Sequence, residues 1–305
     1  MFTGLAISLA FRAGLFNIGA PGQMTFGAFF CAVAAAALPG INGAVHIALA
    51  LAAGCAAGGV WGWLSGVLKT RYGVHEVLST IMLNYIAADL TTYLASHNFK
   101  DPSYQAPQTR AIASSTHLHS IAAGSSLNAG FYLAIFFLAL VTWAVRNTSF
   151  GFQIRAVGQN EEAARASGMP VDRVVMASMS LSGGLAGIAG AVLVLGQQHC
   201  FVAGIAGNYG FDGIAVALLG GASGTGILLS ALFFGALAHG AEYMQIITNV
   251  PNSIALIVQA MVILLAGVRT WRKKRVRLAG QSNKSNSDKN DGAYSTQISS
   301  GEEVG

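Results

Sequence analysis

Long apolar stretches alternate with shorter polar ones along the chain. Seven of them, 22–38, 43–68, 74–96, 129–146, 174–196, 225–242 and 252–268, come close to or exceed the roughly 20 residues that a helix needs to cross a bilayer core. Two more, 2–11 and 210–222, are too short to span as straight helices. Breaks at membrane depth are tolerated only where the backbone is buried in protein or lines a polar cavity, so the short segments are expected beside such a place. The apolar stretches are continuous and lack the period-two alternation of a transmembrane barrel. The pattern predicts an all-α polytopic membrane protein with about 8–10 transmembrane helices, broken or short segments included. The expected transmembrane domain covers 1–271, and a basic, then disordered tail covers 272–305.

Composition agrees and adds exclusions. Hydrophobic residues make up 53% and charged residues only 10% of the 305 residues, far below the roughly 25% of an ordinary soluble domain. That excludes a soluble enzyme, a disordered chain and a secreted disulfide scaffold. The three cysteines, Cys31, Cys55 and Cys200, match no metal spacing and no disulfide framework.

The placement of the charges matters more than the net charge of +5. Lys69 and Arg71 lie between two apolar stretches. Arg146, Arg155, Arg165 and Arg173 mark the loop 147–173, and Arg269, Arg272, Lys273, Lys274, Arg275 and Arg277 follow the last apolar stretch. The positive-inside rule puts these segments and the C-terminus in the cytoplasm, and loop 97–128, with only Lys100 and Arg110, outside. Counting crossings back from there leaves Met1 outside or in mid-membrane, so one further N-terminal helix is expected, or else a re-entrant first segment. The basic run 272–277 reads as an anchor against the lipid headgroups and not as a nucleic-acid site.

Gly54, Gly58, Gly62 and Gly66 fall at i+4 spacing, and Gly183 with Gly187, and Ala186 with Gly190, repeat the device on 174–196. Such small-residue stripes let helices approach closely. The run Gly220–Gly226 is glycine-rich but lacks the Lys-Ser/Thr of a phosphate-binding loop, and reads as a tight turn.

Loop 147–173 carries a short helix. Asn160 is a natural N-cap, Glu161 and Glu162 suit the first turn, and Gly168 followed by Pro170 ends it. About two turns are expected, too short and too polar to span. Ala163 and Ala164 leave a small surface that another protein could approach.

Several motifs together carry a resemblance. In the loop the pattern is Arg155-Ala156-Val157-Gly158-x-Asn160-x-x-Ala163-Ala164-x-x-x-Gly168. Phe11–Gln23, Glu76–Ala87 and Gly210–Gly220 agree with it. Over about 2–268 the chain resembles permeases of bacterial ABC importers, in the branch that handles branched-chain amino acids, simple sugars and nucleosides. It is more similar to the first of the two permeases of nucleoside systems with basic-membrane-protein-type receptors. The resemblance implies a multi-pass subunit in the bacterial cytoplasmic membrane, paired with a second homologous permease. A cytoplasmic ABC ATPase and an extracytoplasmic lipoprotein binding protein would complete the importer. It implies that Arg155, Ala156, Gly158, Asn160, Ala163, Ala164 and Gly168 form the coupling surface for the ATPase. No catalytic residue, metal or cofactor is expected in this chain.

Polar residues inside apolar stretches are costly and face the bundle interior by default. Asn17, Gln23, Asn84, Asp89, Asp212, Glu242 and Gln245 are therefore candidates for the substrate pathway, with Tyr85 and Phe211 as flat aromatic partners for a nucleoside base. Hydrogen bonding between helices is the alternative for each. An ion-coupled secondary transporter with Asp212 or Glu242 as proton carrier is the competing function. An intramembrane enzyme lacks a nucleophile, base or metal set. His97, His117 and His119 share one loop but have no carboxylate or cysteine at a metal spacing.

Overall fold

The computed structural model describes residues 1–37, 42–121, 127–221, 223–248, 257–262 and 264. Among these the secondary structure is helical apart from isolated bridges. The helices are α1 (Phe2–Arg12), α2 (Ala20–Ala37), α3 (Gly43–Tyr72), α4 (Glu76–Ser96), α5 (Gly130–Asn147), α6 (Ser149–Gln159), α7 (Glu161–Ala166), α8 (Val171–Leu193), α9 (Tyr209–Gly220) and α10 (Gly224–Thr248). A single π-helical turn, Val194–Gln198, continues α8.

Among the described residues, five helical stretches are long and apolar enough to cross a membrane: Ala20–Ala37, Gly43–Tyr72, Gly130–Asn147, Val171–Gln198 and Gly224–Ile247. At 21 residues α4 is long enough, about 31 Å at 1.5 Å per residue, but Asn84 and Asp89 make it less apolar. The two short apolar segments form α1 and α9, of 11 and 12 residues. The boundary at 271 and more than half of the expected span 252–268 fall outside the described residues, although 257–262 and 264 are helical.

The chain divides into two units, Met1–His239 and Gly240–Gly305. In the first, α8 packs against α3, α2 and α1. The two glycine stripes meet there. A Cβ on Gly58 would strike the Gly183 carbonyl and sit 2.7 Å from the Gly187 Cα, and one on Gly66 would sit 2.9 Å from the Met176 Cα. The helices are thus in backbone contact, which gives van der Waals and polar packing where lipid removes any hydrophobic drive. Ser180 adds a hydrogen bond from its hydroxyl to the Gly59 carbonyl at 3.1 Å.

Local rules set the ends. Asn42 caps α3 by accepting from the Ala44 N–H. Gly73 ends α3 at φ 67°, a left-handed position suited to glycine. Lys69 then reaches Glu76 at 2.9 Å and closes the turn into α4. The glycine-rich run holds the end of α9 at Gly220 and the start of α10 at Gly224, where the Ser223 hydroxyl accepts from the Gly226 N–H.

Loop 97–121 is tied to the chain that follows α8. The Thr109 N–H donates to the Phe201 carbonyl, Ile112 to His199 and Leu118 to Leu195, at 2.8–2.9 Å. Phe29 of α2 packs edge-on against Phe99 and Phe201 and completes this end of the core.

Candidate functional site

Residues 13–19 leave helical geometry between α1 and α2, and most of them are buried. The Ala13, Gly14 and Leu15 N–H groups bond back to the Ala10 and Phe11 carbonyls, and side chains meet the Gly19 N–H and the Ile18 carbonyl. Asn17 Oδ1 accepts from the Gly19 N–H at 2.9 Å, and Asn17 Nδ2 donates to Gln23 Oε1 at 2.9 Å and to the Ser182 hydroxyl at 2.8 Å. Ser182 passes the chain on to the Ala6 carbonyl at 2.7 Å. From α4, Asn84 donates to the Ile18 carbonyl and accepts from the Gly22 N–H, at 3.0 and 2.9 Å. The Asn17 and Asn84 amides therefore pair with backbone groups at the break, and Gln23 holds the Asn17 amide in place. Asn17 and Gln23 are almost wholly enclosed, and their groups are spent on the scaffold. Ser182 was not singled out by the sequence, since nothing distinguishes it there from Ser178 and Ser180 on the same helix.

The Gly210-Phe211-Asp212-Gly213 motif is explained by packing. A Cβ on Gly210 would lie 2.7 Å from the Pro21 Cα, and one on Gly213 would lie 2.7 Å from the Thr3 Cβ. The glycines seat α9 on the start of α2 and on α1. Asp212 then lines a cavity of about 290 Å³ with Tyr209, Thr3 and Met24. Phe211 and Tyr85 are exposed on other surfaces and are not among its lining residues. Asp89 is also exposed. Glu242 and Gln245 are exposed and belong to the second unit. Tyr209 had no signal in the sequence beyond its place beside the motif.

At the end of the first unit that carries Arg146, the loop folds as α6 and α7. Asn160 caps α7, its Oδ1 accepting from the Ala163 N–H at 3.0 Å. Gly168 ends it at φ 80°. The helix has six residues, slightly shorter than expected. Arg165 bridges Glu161 at 3.5 Å and Asp172 at 2.9 Å. The hydrogen bond to Asp172, followed by its charge, pushes the Arg165 pKa up. Ala163, Asn160 and Gly168 are exposed, whereas Ala164 is turned inward and buried. Arg155 and Gly158 have structural contacts. Arg155 donates to the Val145 carbonyl at 2.7 Å. A Cβ on Gly158 would strike the Arg12 carbonyl and sit 2.9 Å from the Gly14 N. Ala156 is half-buried on the same helix. So α6 is clamped to the end of α1, directly before the break.

The profile of the branched-chain amino acid transport system permease component family matches residues 1–267. The chain belongs to this permease family. It is 40% identical over 267 residues to the guanosine ABC transporter permease protein NupP of Bacillus subtilis, covering 87% of this chain and 76% of that one. It is 35% identical over 280 residues to the nucleoside ABC transporter permease protein NupB of Lactococcus lactis, covering 88% and 76%. It is 31% identical over 292 residues to the glucose ABC transporter permease protein TsgB13 of Haloferax volcanii, covering 92% and 76%. No solved structure matches significantly. The chain is thus a multi-pass membrane permease of the ABC transporter class, and the ion-coupled reading is not favoured.

The three histidines of loop 97–128 do not converge as a group. His117 instead stacks on His199, with ring centroids 3.8 Å apart. Among the described residues no three metal-ligating side chains cluster.

Proposed function

We propose that this permease imports nucleosides, as one of two homologous permeases driven by a cytoplasmic ABC ATPase and fed by an extracytoplasmic binding protein. The observation that carries the substrate is the 40% identity to a relative named for guanosine, with a second, 35% identical, named for nucleosides. Simple sugars are the second reading, favoured by the 31% identical relative named for glucose. A hydroxyl-bearing sugar ring is common chemistry to both ligand classes.

The end bearing Arg146, Arg155 and Arg165, and the C-terminus, face the cytoplasm in this reading. The exposed side of α7, with Asn160, Ala163 and Gly168, meets the ATPase. Ala164, Ala156, Arg155 and Gly158 seat that surface on the membrane part. ATP-driven closure of the ATPase would push α7, and α6 would carry the displacement to Arg12 and the break. Alternating access about a site near the broken helices is the general physics of such transporters. The cavity with Asp212 and Tyr209 offers a carboxylate for ribose hydroxyls and a ring for the base. Asn17, Gln23 and Asn84 brace the start of α2, whose Met24 lines the cavity, and Tyr85, Phe211, Glu242 and Gln245 would enter the pathway only with the partner permease in place.

The test is purification of the tagged chain in mild detergent, followed by mass spectrometry of what accompanies it. An ABC ATPase and a second permease are expected. The chain alone, from a preparation in which a known membrane complex survives, would overturn the reading.

A further inference from the structure

A cavity of about 540 Å³ opens between α3, α5 and α8, within the range of about 300–1,000 Å³ typical of ligand pockets. Leu9, Cys55, Val60, Leu140, Val145 and Leu181 are among its walls. Its hydroxyls are already engaged. Ser180 donates to the Gly59 carbonyl, and Thr148 donates to the Ala144 carbonyl while accepting from the Gly151 N–H. A polar solute such as a nucleoside would find no partner there and would lose its hydration. An alkyl chain would lose nothing.

The end of this groove has a different character. Arg146 follows the lining residue Val145, and Arg155 follows the lining residue Ile154. The Arg155 guanidinium donates to the Val145 carbonyl at 2.7 Å, which fixes it at the rim. On α1, Arg12 lies three residues beyond the lining residue Leu9 and so on the same side of that helix. Arg146 and Arg155 both act on Arg12 through their charge. The apolar slot thus has Arg155 tied to its lining residue Val145, with Arg12 and Arg146 close enough to interact by charge. Guanidinium is suited to bidentate recognition of a phosphate.

We propose that this groove is a binding site for an anionic phospholipid, one acyl chain lying between α5 and the α3–α8 pair and the headgroup phosphate held by Arg146, Arg155 and Arg12. The charge complementarity selects this occupant over a neutral lipid, and the amphipathic layout selects it over a free anion. The site is separate from the Asp212 cavity and does not depend on which solute the protein carries. A lipid there would brace α5 and α6 against α3 and α8.

The test uses the intact transporter in nanodiscs containing equal phosphatidylglycerol and phosphatidylcholine, released into native mass spectrometry. Wild type should retain phosphatidylglycerol in preference to phosphatidylcholine. Arg146→Gln should lower that preference about five-fold, the equivalent of about 1 kcal/mol for one basic side chain near an anionic lipid surface. Ala56→Phe, which fills the slot from an exposed position, should release the lipid. A benzoylphenylalanine photo-crosslinker at Ala56, in native membranes, gives a readout that does not need the variant to be depleted of lipid. A lipid adduct supports the site. An adduct to the second permease or to residues beyond 248 overturns it. Equal retention of the two lipids, unchanged by Arg146→Gln, also overturns it.

Discussion

The backbone of Gly158 lies against the carbonyl of Arg12, so closely that a Cβ on Gly158 would strike it. This joins α6 to the last residue of α1, one step before the non-helical stretch 13–19. Gly158→Ala should therefore part the two helices. Overpacking of this kind costs about 1–3 kcal/mol. The expected outcome is ATPase activity that persists while substrate no longer stimulates it, read on the purified complex. Gly168→Ala is the companion variant, acting on the ATPase-facing helix and not on the α1–α6 contact. It strains a left-handed residue by about 1–2 kcal/mol but meets nothing within 4 Å, so only α7 should loosen.

Asn17 holds Gln23, Ser182 and the Gly19 N–H together. Asn17→Leu leaves buried groups without partners, at about 1–3 kcal/mol each. The melting temperature of the complex should fall clearly, whereas Tyr85→Ala, exposed in this chain, should lower it less. Differential scanning fluorimetry on both variants checks this.

The glycine stripes on α3 and α8 were legible in the sequence because spacing along one helix decides which residues share a face. The Asn160 cap and the Gly168 stop were legible because capping is local. Asn17, Gln23 and Asn84 could be read as inward-facing, but not as partners of one another. That depends on where the chain bends between α1 and α2, and no periodicity specifies the bend. The contact of Gly158 with Arg12, and the stack of His117 on His199, join distant segments that carry no matching pattern. The inward face of Ala164 was missed for a simpler reason. Neighbouring alanines look equivalent until the helix axis is fixed against α8.

Asp212 lines the cavity beside Tyr209. Asp212→Asn should weaken nucleoside affinity about ten-fold or more, since a hydrogen bond to a charged group contributes about 1.5–3 kcal/mol. Stability should not change. Uptake should also resist a protonophore, because ATP and not a proton gradient drives it. Loss of uptake on adding the protonophore would restore the ion-coupled alternative.

His199 is held neutral. Partial burial, followed by the nearby His117, lowers its pKa below the ordinary 6.5. A group with a lowered folded pKa contributes stability that is present above its unfolded value and lost as pH falls through the folded one. The clamp between loop 97–121 and the residues after α8 should therefore hold at neutral pH and loosen in acid. Protection factors at Thr109, Ile112 and Leu118, corrected for the pH dependence of intrinsic exchange, should fall between about pH 7 and pH 5. In His117→Phe, which keeps a ring and removes the imidazole, the fall should shrink.

The central claim is that α7 receives the ATPase stroke that drives nucleoside import. Ala163 is exposed on that helix, and arginine is a good helix former, so Ala163→Arg should fold normally. The most direct measurement is radiolabelled guanosine uptake into proteoliposomes holding the whole transporter, with ATP supplied to the ATPase. Wild type should take up guanosine only with ATP, and Ala163→Arg should fall at least about ten-fold, the effect of losing about 1.4 kcal/mol at the contact. Uptake without ATP, or uptake that Ala163→Arg leaves intact, would contradict the account.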